Sequence, residues 1–360
     1  MKILFCNITY LRSYLGTIEE DLPLKGGAWV AENQDAHEKW NFLNYNGFCY
    51  GFVQNSGQFH IERLEGVSRQ ESSTDSVTVV WCALNPEGET VIVGWYENAT
   101  VFREYQDSML TPLTGLDRIY FSKALAEDCY LLPEDERTYT IGRASQLGKG
   151  HGFGQQNYWW ADSEYAKENI IPDVLDYLSK QKGKRINRLS ADFMPPVNLD
   201  QPLTESEQKE ADDLYEEGEY FRFLPLGYRS FAQTHTADDA YFTSAALREV
   251  YQFDSALEWL HKVVELEGHS WATDSELMCL LMQCGHYRES LELANVVLEY
   301  PEGKEAETRC EIYSIIADNY YYLGDYREGI QWLDKVIATS SDTELIEFTK
   351  ANKEVWEAML

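Results

Sequence analysis

Apolar and polar residues alternate along much of the first half of the chain, which is the pattern expected of β-strands with one buried face. The clearest runs are Val77–Leu84 and Thr90–Glu104, which the turn-like sequence NPEGE separates. A second pair of strands, Gly47–Gln54 and Gly57–Leu64, is predicted around the turn NSG. Residues 1–180 are therefore predicted to form a strand-rich α+β domain.

The period becomes helical over Ser163–Gln181, where Ser163 is suited to cap the helix. Pro172 predicts a bend or a new first turn inside this segment. Basic residues, a Pro-Pro pair and polar filler follow, and this composition predicts a linker over residues 181–203. The basic residues are Lys180, Lys182, Lys184, Arg185 and Arg188. Such a cluster is either a solvated spacer or a contact for phosphate.

Helical spacing dominates from residue 204 onward, and a short turn motif recurs within it. The motif ends in Tyr220, Phe253, Tyr287 and Tyr326, which are separated by 33, 34 and 39 residues. Three of the four copies begin with glycine. In the last three copies a small residue lies three positions after the aromatic; these residues are Ala256, Ser290 and Gly329.

This arrangement resembles the tetratricopeptide repeat, and the resemblance covers residues 204–360. It implies an all-α helical solenoid of stacked helix pairs, in which the small residue lets the two helices of a repeat approach closely. The segment TELIEFTKANKEVWEAML is expected to be a terminal capping helix. The first unit departs from the pattern because Pro225 and Gly227 fall within an expected helix, so this unit is either broken or docked on the first domain.

The resemblance also implies that the first helix of each repeat lines a groove for peptides or helices. On the family's spacing, the groove positions include Met282, Glu311, Asp318, Tyr321 and Tyr322. The Lys, Asn and Arg residues of the family's best-known carboxylate clamp are missing from these positions. An acidic, tyrosine-rich groove favours a basic or aromatic peptide. The alternative is that the tyrosines pack between repeats, since consecutive helical residues point about 100° apart and cannot all face one groove.

The net charge of −31 restricts the partners that the chain can have. Residues 1–200 contain 18 Lys+Arg and 28 Asp+Glu, whereas residues 201–360 contain 12 and 33, which gives −10 and −21. The second half should therefore repel nucleic acid and favour basic or neutral partners. The alternative is that the negative charge serves solubility alone. No apolar run approaches the roughly 20 residues that span a bilayer. Because the first residues lack a signal-peptide pattern, we expect a cytoplasmic protein with no membrane contact.

The stretch GKGHGFGQQNYWWADSEYA, residues 148–166, combines glycines, amides and aromatic rings. It lacks the Ser or Thr that a phosphate-binding loop needs after its lysine. Amides beside aromatics suit a planar ligand, such as a modified or unpaired nucleobase. The predicted ligand-binding residues are Trp29, Trp95, Tyr96, Asn98, Arg103, Gln155, Asn157, Tyr158 and Trp159. The alternative for each ring is a place in the core, because neighbours on a strand point in opposite directions.

Several stretches of the first half also resemble a known module. The segments GETVIVGWYENATVFRE, CYLLPEDER and GFGQQNYWWAD are similar to an uncharacterised N-terminal module of bacterial restriction-type proteins, some of which carry an HNH nuclease. IVGWYENATVFR is also similar to the small barrel of the PUA-like superfamily. That second resemblance implies binding of RNA or of modified DNA bases.

Signs of catalysis are weak in this sequence. It contains neither H-E-x-x-H nor G-x-S-x-G. Cys49 or Cys82 could act with His37 or His60, but both cysteines fall in strand-like apolar runs. We therefore expect a non-catalytic two-domain adaptor without cofactor or metal, which recognises a nucleobase with residues 1–180 and a protein with residues 204–360. The alternatives are a purely protein-binding scaffold, and an uncatalogued hydrolase or nuclease-associated enzyme.

Overall fold

The computed structural model of the chain describes residues 2–14, 37–107, 119–184 and 197–360. The chain divides into two compact units, unit 1 over Met1–Pro195 and unit 2 over Pro196–Leu360. This division falls within the segment for which the sequence predicts a linker. None of the helices in these four ranges is long and apolar enough to cross a membrane.

Unit 1 is built on a seven-stranded sheet whose strand order is β2-β5-β4-β3-β1-β7, with β6 also paired to β4. The strands are β1 (Lys2–Ile8), β2 (Phe48–Gly51), β3 (Ser73–Leu84), β4 (Thr90–Asp107), β5 (Ile119–Leu125), β6 (Cys129–Leu131) and β7 (Tyr158–Trp159). The strand-rich character predicted from the period-two pattern is thus confirmed. β3 and β4 form the predicted hairpin, which closes where the Asn85 amide donates to the Glu89 carbonyl at 2.8 Å.

Two features of the sheet differ from the sequence-based expectation. The strand path begins at β2 and ends at β7, and no pairing among the described strands joins those edges, so the sheet is open and the small PUA-like barrel is not observed. β2 pairs with β5, and not with Gly57–Leu64, where the chain forms a short 3-10 turn over Ile61–Arg63. An alternating pattern specifies which side chains share a face, but it does not specify which strand lies alongside.

The sheet is covered on both faces, which explains why so many of its aromatic residues are buried. One apolar cluster contains Leu4, Trp81 and Tyr96, and the opposite one contains Phe5 and Trp95. The second cluster also includes Val174 and Leu178 of helix α2 (Ile171–Gln181). A four-residue helix, α1 (Ala144–Leu147), precedes the glycine-rich stretch.

Helix α2 is entered through a π-helical turn over Ala166–Ile170, which directly precedes the predicted bend at Pro172. Because proline has no amide hydrogen, a break in the regular hydrogen-bond ladder is expected near it. The Ser163 hydroxyl accepts a hydrogen bond from the Ala166 amide at 3.1 Å, as its predicted capping role requires.

Unit 2 consists of four helical hairpins followed by one further helix. The helices are α3 (Glu205–Glu216), α4 (Tyr220–Thr234), α5 (Ala237–Glu249), α6 (Phe253–Glu267), α7 (Trp271–Gln283), α8 (Tyr287–Val297), α9 (Ala306–Tyr322), α10 (Tyr326–Thr339) and α11 (Thr343–Glu357). The odd-numbered helices from α3 to α9 are called the first helices of the hairpins. The predicted helical repeat is therefore confirmed.

The four hairpin turns have the same backbone structure. Gly218, Tyr251, Gly285 and Gly324 are left-handed, with φ of +76°, +61°, +82° and +75°. In each turn the amide of this residue donates to a carbonyl three residues back, and the next amide donates to a carbonyl five residues back. This is the Schellman pattern, in which a left-handed residue satisfies the last carbonyls of a helix. The recurring glycine in the sequence reflects this conformation, although the second turn adopts it with Tyr251.

The small residue after each turn lies where two helices meet. Ala256 and Ser290 are fully buried, and the Ser290 hydroxyl donates to the Met278 carbonyl of the facing helix at 2.8 Å. A Cβ atom on Gly329 would lie 3.3 Å from the Ala317 carbonyl oxygen. The close approach that the tetratricopeptide resemblance implies is thus present in these hairpins.

The first hairpin is not broken, despite its proline. Helix α4 runs without interruption over Tyr220–Thr234 and includes Pro225. Phe223, and not a small residue, lies three positions after the turn aromatic, and its ring contacts Tyr215 of α3 at 5.1 Å. The first hairpin therefore has the same turn as the others but a bulkier helix contact.

Candidate functional sites

Trp95 and Tyr96, two of the predicted ligand contacts, are fully buried on opposite faces of the sheet. The Trp95 ring stacks on Tyr130 at 4.7 Å, and its Nε1 donates to the Glu97 carboxylate at 3.3 Å. The Tyr96 hydroxyl donates to the Asn41 carbonyl. Because neither ring presents a face to solvent, the structure gives both residues a packing role. Trp29 lies outside the described residues.

Arg103 and Asn98 are also occupied by other parts of unit 1. Arg103 donates to the Glu62 carboxylate at 2.6 Å and to the carbonyls of Ser68 and Glu71 at 3.2 and 2.8 Å. Hydrogen bonding to Arg103 lowers the pKa of Glu62 to about 2. Asn98 is exposed in β4 and donates to the Asp128 carboxylate at 3.1 Å. Arg103 therefore holds the segment around the Ile61–Arg63 turn against β4.

The remaining predicted contacts lie at or beside one cleft of about 430 Å³, here called the glycine-loop cleft. Its wall contains Gln155, Tyr158 and Trp159, whereas Asn157 donates to the Gln54 carbonyl beside it at 3.3 Å. The other lining residues are Arg63, Ala144, Lys149, Gly150, Gly152, Gly154, Gln156, Trp160, Asp162 and Ser163. Tyr158 and Trp159 are only 4% and 8% exposed, so the rings form the floor of the cleft and offer little face for stacking.

The glycines of this stretch serve the backbone. Gly148 and Gly150 are left-handed, with φ of +102° and +87°. A Cβ atom on Gly152 would lie 1.9 Å from the Gly142 carbonyl oxygen, so only glycine fits where these two backbone segments pass. Close packing of the chain therefore accounts for these glycines without a phosphate ligand.

The three lysines of the predicted basic cluster that the structure describes each form an ion pair within unit 1. Lys180 pairs with Asp176, an exposed partner on its own helix, at 2.5 Å. Lys182 pairs with Glu97 and Lys184 pairs with Glu136, each at 2.7 Å. Arg185 and Arg188 lie outside the described residues. The Lys182 and Lys184 pairs hold the residues directly after α2 against the strand-rich part, a role that the linker interpretation did not include.

One ion pair at the cleft was missed in the sequence. Arg63 donates twice to the Asp162 carboxylate, at 2.7 and 2.8 Å, and the two residues also line an adjacent cleft of about 420 Å³. They are 99 positions apart, and no local pattern signals such a contact. Lys149 has no ion-pair partner among the described residues, and the exposed amides of Gln155 and Gln156 lie beside it in the cleft wall.

The residues predicted to line a groove lie on two of the first helices of unit 2, α7 and α9. Arg248 of α5 forms an ion pair with Glu276 of α7, so these two helices are adjacent. Cys279 of α7 is partly buried, and this burial raises its pKa to about 12. The nearby negative charges of Glu276 and Glu311 also raise the pKa of Cys279. We call the surface formed by Arg248, Glu276, Cys279, Glu311 and Asp318 the first-helix face.

Both predicted groove tyrosines make ring contacts within unit 2. Tyr321 stacks on Trp356 of α11 at a ring-centroid distance of 4.9 Å, so it packs between α9 and α11. Tyr322 stacks on Tyr287 at 5.1 Å, and its pKa is raised by burial and by the nearby Asp318 carboxylate. Met282 is partly buried on α7. The expectation that not all the tyrosines can face the groove agrees with this arrangement.

The chain is only distantly similar to known proteins. No family model matches it, and neither does any curated protein. Among solved structures, MamA from Desulfovibrio magneticus RS-1 is 14% identical, with 43% of this chain and 88% of MamA covered and a TM-score of 0.35. YrrB, a TPR protein with an unusual peptide-binding site, is 16% identical, with coverages of 52% and 87% and a TM-score of 0.36. These matches fall on the helical half, and scores this low do not establish a shared fold.

Asp318 is the most unusual residue of the first-helix face. Its carboxyl group is partly buried on α9 and makes no hydrogen bond or ion pair within the described residues. Burial raises its pKa from 3.8 to about 7. A carboxylate that loses water without gaining a donor costs free energy, so this position is suited to a cation from elsewhere.

A second opening lies along the same helix. A cleft of about 380 Å³ separates the start of α9 from the connection between α10 and α11. It shares Glu311 and Ser314 with the surface around Asp318, because positions 311, 314 and 318 repeat at helical spacing. Its charged lining residues are Glu307, Glu311 and Asp342, all of them acidic.

The cysteines considered for catalysis are buried in strands, and the two histidines contact other residues of unit 1. Cys49 and Cys82 are buried in β2 and β3, and burial raises the pKa of Cys82, which weakens it as a nucleophile. The His60 Nδ1 atom lies 3.0 Å from the Glu62 carboxylate, and the His37 ring lies 5.3 Å from Phe52. In the described ranges no group of three His, Cys, Asp or Glu side chains could hold a metal ion.

Proposed function

We propose that this protein is an interaction module whose helical unit binds a basic segment of a partner protein across the first-helix face. The observation that carries the proposal is Asp318, a desolvated carboxyl group without a donor in the described chain. A lysine or arginine of the partner would supply that donor. Charge-assisted hydrogen bonds of this kind contribute roughly 1.5–3 kcal/mol each.

The surroundings of Asp318 favour a cation over an anion. Glu311 and Glu307 add carboxylates along α9, and neither forms an ion pair within the described residues. Arg248, the cation of this face, already pairs with Glu276 and Glu249. The stacked rings of Tyr287 and Tyr322 lie close to Asp318, and aromatic faces attract lysine and arginine side chains.

The cleft between α9 and the α10–α11 connection provides a place for a second basic side chain. Its volume of about 380 Å³ accommodates a lysine or arginine stem, with Glu307 and Glu311 near the charged end. Because Glu311 belongs to both the cleft and the first-helix face, one peptide could contact both places. We therefore propose an extended segment with basic residues several positions apart.

The test uses the full-length chain and a fluorescently labelled ten-residue peptide containing lysine and tyrosine. Fluorescence anisotropy at near-physiological salt should show saturable binding, because surface-charge attraction alone is largely screened under those conditions. The same peptide with acetylated lysines should bind at least about tenfold more weakly, since acetylation removes the cation. Equal binding of the two peptides would refute the proposal.

A second candidate function concerns unit 1, and the glycine-loop cleft favours it. We propose that the cleft holds a polar, anion-bearing ligand, with a nucleotide or an unpaired base as the leading case. Lys149 supplies the charge, and Gln155 and Gln156 supply the hydrogen bonds that read a base edge. The buried floor rings limit stacking, so this version depends on the amides more than on Tyr158 or Trp159.

Labelled oligonucleotides test this second function on the full chain. Single-stranded and duplex forms, plain and base-modified, would be titrated at low and moderate salt. We expect a Lys149→Ala, Gln155→Ala variant to lose at least about tenfold in affinity, because it removes one charge contact and one amide contact. Lys180→Ala is the matched control, since that lysine pairs with Asp176 outside the cleft. No binding at low salt, or equal binding by all three proteins, would reject the assignment.

A further inference from the structure

Helix α11 presents apolar side chains on two of its faces. On one face Trp356 is buried and stacks on Tyr321 of α9. On the other, Phe348 is 60% exposed and Val355 is 55% exposed. The apolar side chains on this second face are therefore not covered by the described part of the chain.

The exposed apolar residues form one continuous stripe. Phe348 and Val355 are separated by seven positions, which places them on the same side of α11, and Met359 lies in the turn two residues after the helix ends. Ala351 is also exposed and lies beside Phe348 and Val355 at helical spacing, and Ala358 is exposed directly after the helix ends. We call these five residues the α11 stripe. Small alanines between larger side chains produce the ridges and grooves against which another helix packs.

The rim of the stripe is acidic. Glu347 and Glu354 are exposed along one border of the stripe, with Lys350 between them at ion-pairing spacing, and Glu344 lies at the start of the stripe, four positions before Phe348. Lys353 is turned away, because it pairs with Asp334 of α10 at 2.6 Å. Residues 201–360 carry 12 basic and 33 acidic side chains, so the wider surroundings have the same sign.

We infer that the α11 stripe is a docking surface for an amphipathic helix of a partner protein, one whose apolar face is bordered by lysine or arginine. Because the apolar residues of the stripe follow helical spacing, they fit the apolar face of a partner helix better than an extended strand. The acidic rim selects the basic border. A second copy of this chain fits less well, because two acidic rims would face one another.

This surface is distinct from the first-helix face. The stripe comes from the exposed side of α11, whereas Asp318 and Glu311 lie on α9. The two proposals can therefore fail separately. Substitutions in the stripe should leave the lysine-containing extended peptide bound as before.

The test is a titration of the full-length chain with a labelled 18-residue designed peptide that carries leucines at helical spacing and lysines along their border. A scrambled peptide of the same composition controls for charge attraction. We expect the designed peptide to bind at least about tenfold more tightly than the scrambled one, and Phe348→Ser with Val355→Ser to remove that preference. Leu266→Ser is the matched control, because Leu266 is also 47% exposed but lies on α6.

A second variant guards against local unfolding. Ala351→Gln keeps a strong helix former while placing a polar side chain in the stripe, and it should weaken the designed peptide by about fivefold or more. Equal binding of the designed and scrambled peptides would overturn the proposal. So would sedimentation that shows a dimer of the wild-type chain which the Phe348→Ser, Val355→Ser variant lacks, since the stripe would then bind a second copy.

Discussion

Replacing Gly152 with alanine is expected to destabilise unit 1 by about 3 kcal/mol, near the upper end of what overpacking usually costs. The added methyl group would lie 1.9 Å from the Gly142 carbonyl oxygen, 2.5 Å from its carbonyl carbon and 3.2 Å from the Arg143 amide nitrogen. These are backbone atoms, so no side-chain rotation relieves the clash. For a unit of this size the loss corresponds to a fall in Tm of roughly 6–12 °C.

Gly154 provides the matched control for this substitution. It lies two positions away in the same glycine-rich stretch, and a Cβ atom built on it meets nothing within 4 Å. Gly154→Ala should therefore change the Tm of unit 1 by no more than a degree or two, on the order of an ordinary surface substitution. Thermal unfolding followed by tryptophan fluorescence measures both variants. Similar behaviour of the two would show that the glycines do not serve the backbone crossing described above.

Replacing Asp318 with asparagine is expected to stabilise unit 2, and to do so more at pH 8 than at pH 5. The pKa of Asp318 is about 7 in the folded chain and 3.8 as its ordinary value. An acid whose pKa is raised by folding binds its proton more tightly in the folded state, so stability falls as the pH rises from about 4 to about 7. Asparagine stays neutral throughout and escapes this loss.

The size of the effect follows from the pKa difference. The full difference corresponds to about 4 kcal/mol above pH 7. We expect about half of this, because the side chain retains some contact with solvent and the amide must also be desolvated. Urea unfolding at pH 5 and pH 8 measures the gain. Glu258→Gln is the control, since it removes one charge from an exposed site on α6 and should give a small difference that does not depend on pH.

A stabilising substitution in a binding surface has a functional meaning. Residues that bind a charged partner often cost stability in the unbound protein, because they are arranged for a contact that is missing there. If Asp318→Asn stabilises unit 2 and also weakens the basic peptide, both results have one cause, the desolvated carboxyl group. The same reasoning would not apply to Glu276, whose carboxylate already pairs with Arg248.

The helical half was predictable from its sequence because its signals are local. A left-handed residue at the end of a helix favours glycine, and Gly218, Gly285 and Gly324 recur at that position. Apolar residues at helical spacing then give the helices themselves. The exposed stripe on α11 was not predicted. Apolar residues at helical spacing indicate a shared face of the helix, but they do not indicate whether that face is buried or exposed.

The strand-rich half was less predictable because its contacts join distant parts of the chain. The β3–β4 hairpin follows from an alternating pattern and a turn, but the parallel pairing of β1 with β3 has no local signal. Aromatics such as Trp95 and Tyr96 suggested a ligand, and their burial on opposite faces depends on both faces being covered. Arg103 was predicted as a ligand contact, whereas it binds Glu62 and backbone carbonyls.

The candidate sites also combine residues with a local sequence signal and residues that only long-range contacts bring together. The stretch over residues 148–166 contributes Gln155, Tyr158 and Trp159 to the lining of one cleft, and its role in ligand binding stays a prediction. Its cation and acid, Arg63 and Asp162, come from positions that no spacing connects. In the helical half, Glu311 and Asp318 could be proposed as groove positions because a repeat supplies its own register. The missing donor for Asp318 could be recognised only from the structure.

The most direct test of the central proposal is the affinity of the lysine-containing ten-residue peptide for three full-length proteins, the wild type, Asp318→Asn and Glu258→Gln. All three would be measured by anisotropy at pH 8 and near-physiological salt. The proposal predicts that Asp318→Asn binds at least about tenfold more weakly than the wild type, while Glu258→Gln binds within about twofold of it. Equal weakening in both variants would mean that only the overall negative charge attracts the peptide, and unchanged binding by Asp318→Asn would contradict the proposal outright.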